Sequence, residues 1–251
     1  MPVEPAAGVV PGWATLVRAP NPGPMTLEGT NTWLLRAGDG LVVVDPGPAD
    51  EAHLGRVAAH GPVLLAVLTH AHADHAEGAA RLRELTGCPV TAYAAGLCAG
   101  TGPLADGAAL PVPGLPARVL ATPGHTEDSV CLLVDDPAAP AIVTGDTVLG
   151  RGPTVVEGRL GAYLGSLERL RALGGLPALP GHGPVVPSIA DAAGQLLQHR
   201  MDRVEQVRAA LAAGAATAED VVQQVYPGLA PGLRRAALHS TRGAMAYLRG
   251  Q

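Results

Sequence analysis

Residues 68–75 read Leu68-Thr69-His70-Ala71-His72-Ala73-Asp74-His75. His70 and His72 are two apart, so an extended strand end points both the same way. Asp74 and His75 follow in the turn and first helical turn. Four such groups in six residues can face one small volume, and imidazole with carboxylate suits zinc. Isolated histidines are ordinarily surface or core residues, and His53, His60, His199 and His239 are read that way. His70, His72 and His75 together, after an apolar run, are not readily read so. Three further candidates lie downstream, each at a predicted strand end beside glycine: His125 in Pro123-Gly124-His125, Asp146 in Thr144-Gly145-Asp146, and His182 in Pro180-Gly181-His182-Gly183. Glycine there lets the backbone turn sharply and come close to a ligand atom.

The elements that must position these groups follow from patterning. Residues 31–45 read as a hairpin around Gly38-Asp39-Gly40, since Asp-Gly between apolar runs is a strong turn signal. A short helix is predicted over 50–60. The run Val63–Leu68 reads as a buried strand ending at the histidine cluster, and a single helix is predicted over 74–86. Short strands are predicted near 89–93, 117–122, 129–135, 140–144 and 176–180, with a helix over 163–173. After Pro187 the character changes to Ala- and Leu-rich helical spacing. Thr217 and Asp220 have the form of a helix start, Tyr226-Pro227-Gly228 stops that helix, and a last helix is predicted over 231–249.

A chain of 251 residues with 47% hydrophobic and 16% charged residues supports one sizeable core and is not a disordered chain. With no Phe, that core must be built from Ala, Val and Leu. The net charge of −5 argues against a dedicated duplex-DNA binder. Cys88, Cys98 and Cys131 are odd in number and scattered, which fits a reducing compartment. The stretch MPVEPAAGVVPGW has no basic, apolar leader pattern, and no run is long and apolar enough to span a membrane. A cytoplasmic protein is expected.

An HxHxDH motif followed by GH, GD and GHG resembles the metallo-beta-lactamase superfamily, with the match running from about Asn21 to about Pro187. The resemblance implies an α/β fold, a four-layered αββα sandwich with metals at one edge between two sheets. It implies a catalytic domain over 1–187 and a small C-terminal helical, winged-helix-like module over 188–251. Carried onto this chain, it puts His70, His72 and His125 on one zinc and Asp74, His75 and His182 on a second. Asp146 would bridge them, and Asp45 would orient a ligand by hydrogen bonding. Such a pair of ions holds a bridging hydroxide that attacks a carbonyl or phosphoryl centre. Asp74 is also a candidate proton relay. Iron or manganese are alternatives to the two zinc ions, and a mononuclear iron persulfide dioxygenase shares HxHxDH.

Asp146 and the absent leader pattern argue against an exported lactamase. The stretch Asn21-Pro22-Gly23-Pro24-Met25-Thr26-Leu27-Glu28-Gly29-Thr30-Asn31-Thr32 is similar to the branch around beta-lactamase-like protein two, which includes a single-strand-specific endoribonuclease and carrier-acyl thioesterases. The glyoxalase II-like branch, which hydrolyses glutathione thioesters, is also similar. Single-stranded RNA is therefore the first expected substrate and a small thioester the alternative, with Asn31 and Tyr163 as candidate contacts, although a packed tyrosine is the plainer reading of Tyr163. In the last helix Arg235, His239, Arg242 and Arg249 share one face. Arg235 and Arg242 are candidates to hold phosphates, set against a simple solvated face. Oligomeric state is not indicated by the sequence.

Overall fold

The computed structural model describes residues 9–157, 159–229, 232 and 234–250. Part of the N-terminal stretch read for a leader, residues 1–8, and the expected start of the last helix at 231 lie outside them.

Two sheets face each other. The first contains β1 (Ala14–Arg18), β2 (Asn31–Ala37), β3 (Gly40–Val44), β4 (Val63–Leu68) and β5 (Val90–Ala92), in that spatial order. The β1–β2 and β2–β3 pairs are antiparallel, and β3–β4 and β4–β5 are parallel. The second contains β6 (Ala117–Ala121), β7 (Val130–Val134), β8 (Ala141–Gly145) and β9 (Ala178–Pro180), also in order, with only β8–β9 parallel.

Strand alternation sorts the side chains into layers. Val42 and Val44 of β3, with Leu65 and Val67 of β4, join Val130, Leu132 and Val134 of β7 in a core between the sheets. The intervening Val43, Ala66 and Leu68 pack outward against Leu54 and Val57 of helix α1 (Glu51–Ala58) and Leu82 of helix α3 (Ala79–Thr86). On the other side Cys131 and Leu133 face helix α4 (Leu160–Arg171) and helix α5 (Ile189–Ala212). The result is the expected αββα sandwich. Trp33 and Tyr163 are the largest fully buried side chains, standing in a core without Phe.

The predicted helix over 74–86 is two: α2 (Ala73–Ala76) and α3, broken at Gly78. A Cβ at Gly78 would lie 2.9 Å from the Gly47 carbonyl oxygen and 2.9 Å from Leu54. The break falls where the Gly78 N–H donates to the Gly47 carbonyl at 2.8 Å in place of a helical acceptor, an approach too close to admit a side chain. Strand β1 was not predicted; its buried positions Ala14 and Val17 are three apart, which breaks the alternation that signals a strand. A single 3-10 turn over Ala95–Leu97 was also unpredicted.

The C-terminal segment contributes α5, α6 (Ala218–Val225) and α7 (Arg234–Arg249). Thr217 and Asp220 form the anticipated capping box: the Thr217 hydroxyl accepts from the Asp220 N–H at 3.1 Å, and the Asp220 carboxylate accepts from the Thr217 N–H at 2.9 Å. Among the described residues of this segment no strand occurs, so the wing of a winged-helix-like module is not among them. Ile189, Val204 and Val207 of α5 and Ala244 of α7 share one apolar cluster with Leu167 and Leu170 of α4. No helix among the described residues is long and apolar enough to cross a membrane.

Candidate metal centre

The loops after the C-terminal ends of five strands converge at one edge of the sandwich. Asp45 follows β3, His70 follows β4, His125 follows β6, Asp146 follows β8 and His182 follows β9. His70, His72 and His125 form one group and Asp74, His75 and His182 another; a third group joins His70, His75 and Asp146. The rings of His70, His72 and His125 lie 4.7–4.8 Å apart, centre to centre. In the other group His182 Nε2 is 3.1 Å from Asp74 Oδ2 and 3.2 Å from His75 Nε2. The Asp146 carboxylate lies between the groups, 3.5 Å from His75 Nε2, 3.4 Å from His182 Nε2 and 3.8 Å from His125 Nε2.

The partners behind each ring decide which nitrogen faces the centre. Asp45 accepts from the Thr69 N–H and hydroxyl, both at 2.7 Å, and from His75 Nδ1–H at 2.8 Å. Because the Thr69 hydroxyl gives its proton to Asp45, its oxygen accepts from His70 Nδ1–H at 3.0 Å. His125 Nδ1–H donates to the Val155 carbonyl at 2.7 Å, and His182 Nδ1–H to the Gly29 carbonyl at 3.3 Å. With Nδ1 so engaged, these four rings turn Nε2 toward the centre. His72 is reversed: Nε2–H donates to Glu157 Oε2 at 3.2 Å, leaving Nδ1 bare.

This arrangement fits metal ions. His72 Nδ1 and His125 Nε2 face each other at 3.0 Å, and His75 Nε2 and His182 Nε2 at 3.2 Å. Opposed lone pairs repel unless a proton or cation joins them. His70 Nε2 and Asp146 Oδ1 are buried with no hydrogen-bond partner among the described residues, a cost that a metal would remove. The electrostatics agree. Burial pushes the His70 imidazole well down, reinforced by His75. Burial alone would raise Asp146, but His75 and His182 hold its carboxyl well below the usual range. Burial lowers His182, yet its hydrogen bonds to Asp146 and Asp74 prevail and lift it to about 9. The pocket favours positive charge.

Glycine permits this density. A Cβ on Gly181 would lie 2.4 Å from Asp146 Oδ1 and 2.7 Å from His75 Cε1. Asp45 itself has φ 53°, a left-handed conformation uncommon outside glycine that Asp and Asn tolerate better than most.

Four expected substrate contacts sit elsewhere. Asn31 is fully buried, and its Nδ2 donates to the Pro180 carbonyl at 3.0 Å and the Gly183 carbonyl at 2.9 Å. It therefore clamps the loop carrying His182. Tyr163 is also fully buried; its hydroxyl donates to the Thr147 carbonyl at 2.9 Å and its ring packs on Gly124, beside His125. It is packed in the interior, as the plainer reading expected. Arg242 pairs with Glu219 at 2.9 Å, and Arg235 is exposed on α7.

Sequence reasoning missed Glu157, Thr154 and Thr30. Thr154 Oγ1 lies 3.0 Å from His125 Nδ1, and Thr30 Oγ1 3.5 Å from Asp74 Oδ2. Glu157 and Thr154 belong to no spaced motif, and Thr30 lies in the Asn21–Thr32 stretch without a role assigned there. His53, read as ordinary, is buried and its Nε2 lies 3.0 Å from the Thr32 hydroxyl, which donates to the Asp45 carbonyl.

Residues 25–182 match the family described as the metallo-beta-lactamase superfamily. A beta-lactamase-like protein 2 homolog of Caenorhabditis elegans is 32% identical over 91% of this chain and 81% of its own. An atrochrysone carboxyl ACP thioesterase of Aspergillus chevalieri is 34% identical over 84% of this chain and 72% of its own. A metallo-beta-lactamase family protein of Thermus thermophilus superposes with a TM-score of 0.78 at 24% identity, covering 95% of this chain and 93% of that one.

Proposed function

The chain belongs to the metallo-beta-lactamase superfamily, and from that premise we propose that it is a zinc-dependent hydrolase with a dinuclear site that cleaves thioesters. The carrying observation is the set of inward-facing histidine nitrogens, with the unpartnered His70 Nε2 and Asp146 Oδ1, converging on one volume. His70, His72 and His125 would hold one ion, and Asp74, His75 and His182 the other, with Asp146 between. Bound there, two zinc ions supply an activated water at neutral pH and polarise the substrate oxygen.

The chain's own residues orient the ligands and handle the proton. Asp45 fixes His75 directly and His70 through Thr69. Asp74 has a side chain 29% exposed, against 9% for Asp146. It is the inner carboxylate open to solvent and so the one placed to relay a proton. Residues 1–187 act as the catalytic domain and 188–251 as its helical module. The free Cys88, Cys98 and Cys131 support a reducing, cytoplasmic setting.

Thioesters come first for two reasons. A relative at 34% identity is named as an acyl-carrier-protein thioesterase. A thiolate also departs with little help from a proton donor, matching a site with one solvent-facing carboxylate. Cleavage of single-stranded RNA is the second reading, supported by the exposed Arg235. It is weakened because the shared face is partly occupied: His239 donates to the Val156 carbonyl and Arg242 pairs with Glu219.

Elemental analysis of protein purified without added metal is the first test, alongside His72→Ala. About two zinc per chain is expected for the wild type, falling by about one in the variant. S-acyl thiols and single-stranded RNA are then offered to both proteins. Hydrolysis of neither by the wild type, or equal rates for wild type and variant, defeats the hydrolase reading. One iron per chain with oxygen uptake on a persulfide replaces it with a dioxygenase.

A further inference from the structure

Between β8 and α4 the segment Thr154–Glu157 runs past His125 with its polar groups directed to two sides. Toward the centre, the Val155 carbonyl accepts from His125 Nδ1–H at 2.7 Å, the Glu157 N–H donates to the His125 carbonyl at 2.9 Å, and the Glu157 carboxylate accepts from His72 Nε2–H at 3.2 Å. Away from it, the Thr154 carbonyl accepts from the Arg200 guanidinium of α5, and the Val156 carbonyl accepts from His239 Nε2–H of α7 at 2.8 Å. The Thr154 and Val156 carbonyls thus point one way and the Val155 carbonyl the other, so one short segment reaches two partners at once. Arg200 is buried and lies 5.5 Å above the Tyr163 ring, and its Nε finds no partner among the described residues. A desolvated guanidinium is costly, and the Thr154 carbonyl is its hydrogen-bond acceptor here.

We infer that helices α5 and α7 hold this strap so that Glu157 and Val155 select the metal-facing nitrogens of His72 and His125. Glu157 is a positioning residue. By accepting from Nε2–H it keeps Nδ1 of His72 bare, the reverse of the other histidines, and an outer partner of this kind commonly governs metal affinity. His239 acts one step further out, through the backbone. The C-terminal helices thus serve one half of the centre. His75 and His182 lean on Asp45 and the Gly29 carbonyl instead and have no bond to the strap. The inference rests on the reading of these histidines as ligands of two ions.

The test uses the full chain and zinc, with stepwise dissociation constants measured by competition with a chromophoric chelator, and the visible spectrum of the cobalt-loaded protein as a second readout. His239→Ala and Glu157→Ala are each expected to weaken one of the two equivalents by about tenfold and leave the other unchanged. Both should change the cobalt spectrum. Because both act through one strap, the double variant should fall short of the summed effects. His239→Gln keeps a donor and Glu157→Gln an acceptor, so both should recover most of the affinity. Unchanged constants in both alanine variants overturn the inference. So does equal weakening of both equivalents with a lowered melting temperature of the metal-free protein, which would mark a merely structural role. A wild-type chain that takes up fewer than two equivalents defeats the dinuclear reading beneath it.

Discussion

The two halves of the centre are built to different standards. His75 and Asp45 are within 2% of full burial, and the loop of His182 is pinned by Asn31 from inside the first sheet. His72 and Glu157, by contrast, are 33% and 53% exposed and meet across a loop. One half is anchored in the sandwich and inherits its rigidity; the other depends on a strap whose outer contacts come from the C-terminal helices. The difference teaches that such a centre can carry one invariant cradle and one adjustable one. Changes to the first should damage folding and metal binding together. Changes to the second should alter metal binding with little cost to the fold.

The largest effect is expected from Asp45→Ala. It removes the acceptor of three hydrogen bonds, strands the Thr69 N–H and His75 Nδ1–H in the interior, and places alanine at φ 53°. Urea denaturation should show a loss of about 3 kcal/mol or more, and metal analysis should show both equivalents weakened, since Asp45 also supports His70 through Thr69. Stability within about 1 kcal/mol of wild type would mean that the carboxylate is no anchor.

Asn31→Ala comes next and separates the halves more cleanly. The Pro180 and Gly183 carbonyls lose their shared donor, at a cost of about 1–3 kcal/mol. Zinc affinity should fall about tenfold at the His182 equivalent and stay unchanged at the other, the mirror image of His239→Ala. If the two variants weakened the same equivalent, the division of the centre into two supports would be wrong.

That division was only half legible from the sequence. Continuous apolar runs at Leu41–Val44, Val63–Leu68 and Val130–Val134 marked the strands, because both faces of each are packed into layers of the sandwich. The histidines and carboxylates were legible because ligand chemistry demands particular residue types at the ends of those strands. The strap was not. Its contacts use the carbonyls of Thr154, Val155 and Val156, and a backbone acceptor carries no residue signature. Glu157 looked like any exposed acid, and His239 like one member of a basic stripe. Asn31 stands out by its motif, but a motif does not show that its amide holds the Pro180 and Gly183 carbonyls from inside the sheet. The helix break at Gly78 was hidden too, since its N–H turns to the Gly47 carbonyl, a tertiary bond that leaves no mark in the local pattern.

Tyr163→Phe should have a smaller effect. The ring keeps its place against Gly124 and beneath Arg200, and only the bond to the Thr147 carbonyl is lost. A loss of about 1 kcal/mol is expected in thermal or urea unfolding, with kcat and KM for a thioester unchanged. A raised KM would return the hydroxyl to the substrate pocket and contradict its complete burial.

The smallest effect is expected from Arg242→Ala, and it bears on what the C-terminal helices do. Arg242 is 64% exposed and pairs with Glu219, 48% exposed, at 2.9 Å. An exposed pair of this kind contributes at most about 1 kcal/mol, so stability should fall by no more than that, and zinc affinity at both equivalents and thioester turnover should stay at wild-type levels. The same helix carries His239, whose removal is expected to weaken one zinc equivalent. Two substitutions on one helix would then differ because only one of them touches the strap. RNA sharpens the contrast. If the basic face holds a single strand, Arg242→Ala weakens RNA binding most at low salt, because each lost phosphate contact flattens the salt dependence. If RNA binding and its salt slope are unchanged, the helix serves the centre through His239 and not the substrate through its arginines.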